Sequence, residues 1–170
     1  MESTVRYCSD IGMFAMDRSR KTCRFRTSFC SKHCYNGKLY RAFGHNMVPK
    51  DDKNDLFFES VTGPELRTIL ARKRNQTKRV RICTRGEPIT GPDDIDRIKG
   101  WANANPDRLF WLPTRAWRNA ELRARIRSEL FGVRNLRIMA STDPSNTESE
   151  IAMLKSEGFS TMFFGDDVRD

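Results

Sequence analysis

The sequence predicts an α/β fold built on five or six mainly parallel strands. Short apolar, β-prone runs recur at residues 11–16, 79–83, 109–112, 136–140 and 161–164. Helical patterns with readable N-terminal caps lie between them. Strand and helix alternating in this way imply parallel strands joined by right-handed crossovers. Five or six strands are too few for a closed eight-stranded barrel, which leaves a partial (β/α) barrel or a short doubly wound sheet. In either form, ligands gather at the C-terminal ends of the strands.

The elements follow in order. The run at 11–16 is the first strand, and a cysteine-bearing loop leaves its C-terminal end. Thr62-Gly63-Pro64-Glu65 reads as a capping box that opens a helix with Leu66, Ile69 and Leu70 on one face. In the strand at 79–83, Val80, Ile82 and Thr84 share one face, while Arg81, Cys83 and Arg85 share the other. Thr90-Gly91-Pro92-Asp93 opens a helix that turns Ile95, Ile98, Trp101 and Ala102 inward. Asn119 caps a third helix, carrying Leu122, Ile126 and Leu130. Thr147-Glu148-Ser149-Glu150 boxes a fourth, with Ile151 and Leu154, and Gly158 stops it.

The length of 170 residues suits one domain, spanning 1–170, with a proper core. No run approaches eighteen consecutive apolar residues, so no membrane span is expected. The start, Met1-Glu2-Ser3-Thr4-Val5-Arg6, lacks the plan of a signal peptide, so a cytoplasmic, reducing location is expected. The net charge is +9, and residues 1–50 hold ten Lys/Arg against three Asp/Glu. A second basic run, Arg72-Lys73-Arg74-Asn75-Gln76-Thr77-Lys78-Arg79, contains no acid. The charge suits a nucleic acid, a protein partner or an anionic ligand, or else a solvated helix end. Oligomeric state leaves no mark in the sequence.

The cysteines carry the sharpest chemical signal. Cys23, Cys30 and Cys34 fall within twelve residues, and Cys83 ends the strand at 79–83. Basic neighbours favour thiolates, the form that binds metal. The spacing C-x6-C-x3-C matches neither a zinc knuckle nor the bacterial ferredoxin run. An iron–sulfur cluster is the first expectation, structural zinc the second, and unrelated free thiols the third. The odd count of five argues against a disulfide framework. Cys83 reaches the same end of the sheet as the cysteine loop, so it is the expected fourth ligand. Cys8 precedes the first strand, about 20 Å away at roughly 3.3 Å per residue, and is the alternative.

Other residues carry weaker signals. His33 sits between two cysteines and reads as the start of a helix, with metal ligation as the alternative. His45 reads as a loop residue. Trp101 belongs to the core, while Trp111 and Trp117, near strand ends, have ligand stacking as a second reading. Ser141-Thr142-Asp143-Pro144-Ser145-Asn146 reads first as a turn feeding the next helix. There is no Walker loop, dinucleotide fingerprint or nucleophile–histidine–acid set.

Several stretches together resemble the phage family known as gene product 88. The resemblance rests on Gly12-Met13-Phe14-Ala15-Met16-Asp17, Lys21-Thr22-Cys23 and Cys30-Ser31-Lys32-His33-Cys34-Tyr35-Asn36-Gly37-Lys38. It continues in Val80-Arg81-Ile82-Cys83-Thr84-Arg85-Gly86-Glu87-Pro88, in the strand closing on Thr114-Arg115, and in Leu136-Arg137-Ile138-Met139-Ala140-Ser141. It covers residues 11–145 and is most specific at the cysteines and the Thr-Arg strand end. Such proteins look like reduced relatives of the radical S-adenosylmethionine (SAM) barrel. The resemblance therefore implies a radical-SAM-like partial barrel with a [4Fe-4S] cluster near the top of its first strand. It also implies host cytoplasm as the location.

Gly86-Glu87-Pro88 falls where radical SAM enzymes keep the turn that receives the methionine amino group. Those enzymes usually carry C-x3-C-x2-C and leave one iron open for SAM. With Cys83 as a fourth ligand the cluster is closed, which speaks against radical chemistry. Arg81 and Arg85 then bind an anion such as a SAM carboxylate or a phosphate, or they offset the charge of the thiolates. Arg115 carries the same two readings.

Overall fold

The computed structural model describes residues 3–73 and 77–165. Six strands form one sheet: β1 (Arg6–Cys8), β2 (Met13–Met16), β3 (Arg79–Ile82), β4 (Leu109–Thr114), β5 (Leu136–Thr142) and β6 (Ser160–Phe163). Their order across the sheet is their order along the chain. β1 runs antiparallel to β2, and every other pairing is parallel. Among the described residues six α-helices accompany them: α1 (Ser28–His33), α2 (Tyr35–Ser60), α3 (Gly63–Ala71), α4 (Pro92–Ala104), α5 (Ala120–Leu130) and α6 (Glu148–Ser156). A doubly wound sheet reverses its strand order at a switch point, and this one does not. No pairing joins β1 to β6 among the described residues, so the sheet is open.

Successive right-handed crossovers between neighbouring strands lay their helices side by side on one face. α3 packs on α4, and α4 on α5, as that arrangement requires. Two cross-strand rows show which face is covered. Phe14, Val80, Phe110 and Leu136 lie in register and are buried. One residue along, Ala15, Arg81, Trp111 and Arg137 lie in register on the other face, where Arg137 is exposed and Arg81 and Trp111 are half-buried. Side chains alternate along a strand, so the apolar row meets the helices and the basic row does not. On the helix side, Phe58 packs edge-on to Trp101 at 4.8 Å, and the Trp101 indole N–H donates to the Val61 carbonyl at 2.8 Å. Burying side chains of this size contributes about 1.5–3 kcal/mol each.

The local chemistry of the caps is readable. Thr62–Glu65 and Thr147–Glu150 form reciprocal capping boxes, and the Asn119 side chain accepts from the Leu122 N–H. At α4 the N-cap is Gly91, without a side-chain bond; Thr90 instead gives its N–H and hydroxyl to Asp94, each at 2.8 Å.

Three features depart from expectation. β1 is too short for any periodicity to announce it. α2 runs through Gly37, Gly44 and Pro49, residues that argue against a long helix, with a break at Phe43 (φ −135°, ψ 29°). His45 therefore lies in a helix rather than a loop, and His33 ends α1 rather than starting a helix, its ring stacked on Phe29 at 4.3 Å. Residues 74–76 of the basic run lie outside the described residues. No helix among the described residues is long and apolar enough to cross a membrane.

Candidate metal centre

At the C-terminal ends of β2 to β6 the open face leads into a cavity of about 180 Å³. Cys23, Cys30, Cys34 and Cys83 all line it, together with Arg81, Arg85, Glu87 and Arg115. Cys8 ends β1 opposite Met13, at the other end of the sheet.

The cysteine loop is fixed by its caps and by distant carboxylates. A 3-10 turn, Arg20–Thr22, delivers Cys23, and the Thr22 hydroxyl accepts from the Glu87 N–H at 2.8 Å. Thr27 caps α1, its hydroxyl oxygen accepting from the Cys30 N–H at 2.9 Å. The same hydroxyl donates to Asp143, just beyond β5, at 2.6 Å. Cys34 ends α1 and caps α2, and the following Tyr35 donates its phenol to the Thr84 carbonyl at 2.8 Å.

Cys83 adopts left-handed backbone (φ 62°), rare for a residue with a side chain. Such a conformation costs on the order of 1–3 kcal/mol and persists only where the surroundings impose it. Here the Cys83 N–H donates to the Met16 carbonyl at 2.7 Å. Asp17 then accepts from the Thr84 N–H (2.9 Å), the Thr84 hydroxyl (2.6 Å) and the Arg85 N–H (3.2 Å). Burial opposes the charge on Asp17, but the bonds from Thr84 and the Arg6 guanidinium outweigh it and hold its pKa below the ordinary value.

The arginines of the cavity differ in their engagement. Arg85 pairs with Asp51 at 2.9 Å, and Arg115 pairs with the buried Asp143 at 2.8 Å. Arg81 has no carboxylate partner among the described residues; its guanidinium lies 4.8 Å from the Trp111 ring centre. Glu87 is buried, accepting from the Thr114 hydroxyl, the Arg115 N–H (2.9 Å) and the Ile89 N–H (3.2 Å). Burial pushes its carboxyl up to about 7 despite those bonds.

The thiols behave opposite to the expectation from basic neighbours. Burial, then the charges of Glu87, Cys30 and Cys34, push Cys23 up to about 12, with Arg26 opposing. Burial also raises Cys30 against the pull of Arg115, and raises Cys83 well above an ordinary thiol. Desolvation outweighs the arginines because the thiols face a cavity rather than open water. A metal held there would reverse this balance, since a coordinated thiol loses its proton outright. The donor set and its enclosure thus fit a metal group held by several thiolates. Among the described residues, no three His, Cys, Asp or Glu side chains converge on one point as a single metal ion requires.

A family model described as gene product 88 matches residues 6–167. The chain belongs to the gene product 88 family. No curated protein matches it, and no solved structure does. In this gene product 88 chain, several residues that build the cavity escape sequence reasoning. Their contacts are long-range: Tyr35 and Thr84 are 49 positions apart, Asp17 and Thr84 are 67, and Thr27 and Asp143 are 116, and Asp51 reaches Arg85 from α2. The sequence hints are the polar run after β5, whose Asp143 anchors Thr27, and the family-like stretches that hold Asp17, Tyr35 and Thr84.

Proposed function

We propose that the chain is an iron–sulfur protein with a closed [4Fe-4S] cluster on Cys23, Cys30, Cys34 and Cys83, in a structural or redox-sensing role. The observation that carries this reading is the single cavity lined by those four thiols. A lone zinc ion needs its thiolates about 2.3 Å from one point. A four-iron cluster takes one thiolate on each iron, so thiols spread around a cavity suit it better. When bound, the cluster supplies positive charge that ionises the thiols, and one-electron chemistry. The chain supplies the rest: Arg115 donates towards Cys30, and the charge of Arg26 favours a Cys23 thiolate. Burial of Glu87, which pushes its carboxyl up to about 7, opposes a full negative charge beside Cys23 and Cys83.

The finer fold reading, a partial barrel of the radical SAM kind, rests on the sequential strand order and on the cavity's place at the strand C-termini. An open cluster binding SAM is the alternative, because Gly86 and Glu87 line the cavity. Against it, the Glu87 oxygens already accept bonds from Thr114, Ile89 and Arg115, leaving little for a methionine amino group.

The test is anaerobic purification of wild type and Cys83→Ala, followed by visible absorption with iron, sulfide and zinc assays. The proposal expects about four irons per chain, a brown wild type, and loss of both colour and iron in Cys83→Ala. A fully loaded Cys83→Ala that binds and cleaves SAM would establish the open cluster. Zinc without iron or colour would end the iron–sulfur reading.

A further inference from the structure

The arginines of β3 and β5 on the open face lack the ion pairs that several helix-side arginines make, whereas Arg6, in register with Ala15 on the same face, pairs with Asp17 at 3.0 Å. On the helix side, Arg97 pairs with Asp94, Arg123 and Arg127 with Glu157, and Arg125 with Asp96 and Glu129. On the open face, Arg79, Arg81 and Arg137 form no ion pair among the described residues. Arg137 donates only to the Arg134 and Leu136 carbonyls, and Arg81 only to the Cys83 carbonyl, at 3.4 Å. Arg81 and Arg137 flank Trp111 on neighbouring strands, so each is about 4.8 Å from it across the sheet. Arg79 lies beside the exposed Leu109, one step down the same face. Met13, Arg79, Leu109, Trp111 and Arg137 border a depression of about 270 Å³, and Arg81 lies just beyond it, on the wall of the cysteine cavity. Clustered cations without counter-charges repel one another, and an anion that spans them relieves that cost.

The aromatic component narrows the choice of anion. Arg81 lies over the half-buried Trp111 ring, 4.8 Å from its centre. A guanidinium plane held on an aromatic ring offers its outer side to a base, a stacking mode used on unpaired nucleotides. Bases inside a duplex are stacked on each other and unavailable to it.

We propose that the open face of the sheet binds single-stranded nucleic acid, with Arg79 and Arg137 on phosphates and the Arg81–Trp111 pair beneath a base. This goes beyond the cluster and does not require it, although Arg81 also borders the cysteine cavity, so a bound strand passes beside that cavity.

The test is a fluorescence-anisotropy titration with a labelled oligothymidine, repeated with a duplex of equal length. Two phosphate contacts predict a salt slope near −1.4, so affinity falls roughly sevenfold between about 50 and 200 mM salt. Arg79→Gln with Arg137→Gln should reduce that slope by about 1.4. Trp111→Ala should weaken binding by about fivefold to a hundredfold, and Arg125→Gln on the helix side should change nothing. Circular dichroism and iron content of each variant separate loss of this surface from loss of fold or metal. No binding of oligothymidine at low salt, binding untouched by the double variant, or a duplex bound as tightly as the single strand would each overturn the proposal.

Discussion

Replacing Gly86 by alanine tests how rigidly the cavity wall is built. Gly86 adopts φ +76°, and a Cβ there would come 2.7 Å from the Arg18 carbonyl oxygen and 2.8 Å from the Arg18 Cβ. Arg18 has little room to retreat. Its N–H donates to the Arg85 carbonyl at 3.1 Å, and its guanidinium pairs with Glu59 and Asp94, each at 3.0 Å. Left-handed backbone costs an alanine about 1–2 kcal/mol, and overpacking adds about 1–3 kcal/mol. A loss of about 3 kcal/mol follows. With about 2.1 cal/mol/K of unfolding entropy per residue, a chain of 170 residues should lose about 8 °C of melting temperature. Gly100, inside α4 with open space at its Cβ position, supplies a control of opposite sign. Gly100→Ala should gain about 0.5–1 kcal/mol, or about 2 °C. Thermal unfolding followed by far-ultraviolet circular dichroism under anaerobic conditions reads both. A Gly86→Ala melting point within about 2 °C of wild type would refute the reasoning.

Two further perturbations probe the charged frame of the cavity. The folded protein holds the Glu87 proton up to about pH 7, against an ordinary value of 4.5. This group's contribution is therefore complete below pH 4.5 and lost as pH rises through 7, on the order of 3 kcal/mol in all. Glu87→Gln should flatten that part of a stability–pH curve measured by urea unfolding, and an unchanged slope would contradict the assignment. Asp143→Asn leaves the buried Arg115 without its counter-charge and weakens the anchor of Thr27. It should cost about 3 kcal/mol and lower iron retention, whereas wild-type melting and iron content would count against that role.

What the sequence makes legible is whatever is decided locally. The boxes at Thr62 and Thr147 and the cap at Asn119 are each settled within three residues, and all three form. The five apolar runs become β2 to β6 because alternation along a strand shows directly which side chains meet the helices. α2 stays hidden because its glycines and proline argue against the helix that tertiary contacts impose, with Phe57 and Phe58 buried in the core. The direction of the thiol shifts goes wrong for a related reason. Arg26 and Lys32 are visible beside the cysteines in the sequence, but enclosure by β3, β5 and α2 is not, and enclosure dominates. The left-handed backbone at Cys83 has no local signal at all, since the residues that fix it, Met16 and Asp17, lie in the preceding strand and its end.

The bond between Thr27 and Asp143 also has a consequence for how the molecule is made. A sheet whose strands join in chain order can grow as the polypeptide leaves the ribosome, each new βα unit docking on the last. The Thr27–Asp143 contact breaks that sequence, because its partners are 116 residues apart. The cysteine loop is synthesised well ahead of β5, so its clasp is available only after β5 has emerged. Long-range closure of this kind is slow relative to local helix formation. The nascent chain therefore carries its thiols loosely until β5 emerges, so a cluster of the kind proposed would be inserted after that point rather than during synthesis of the loop.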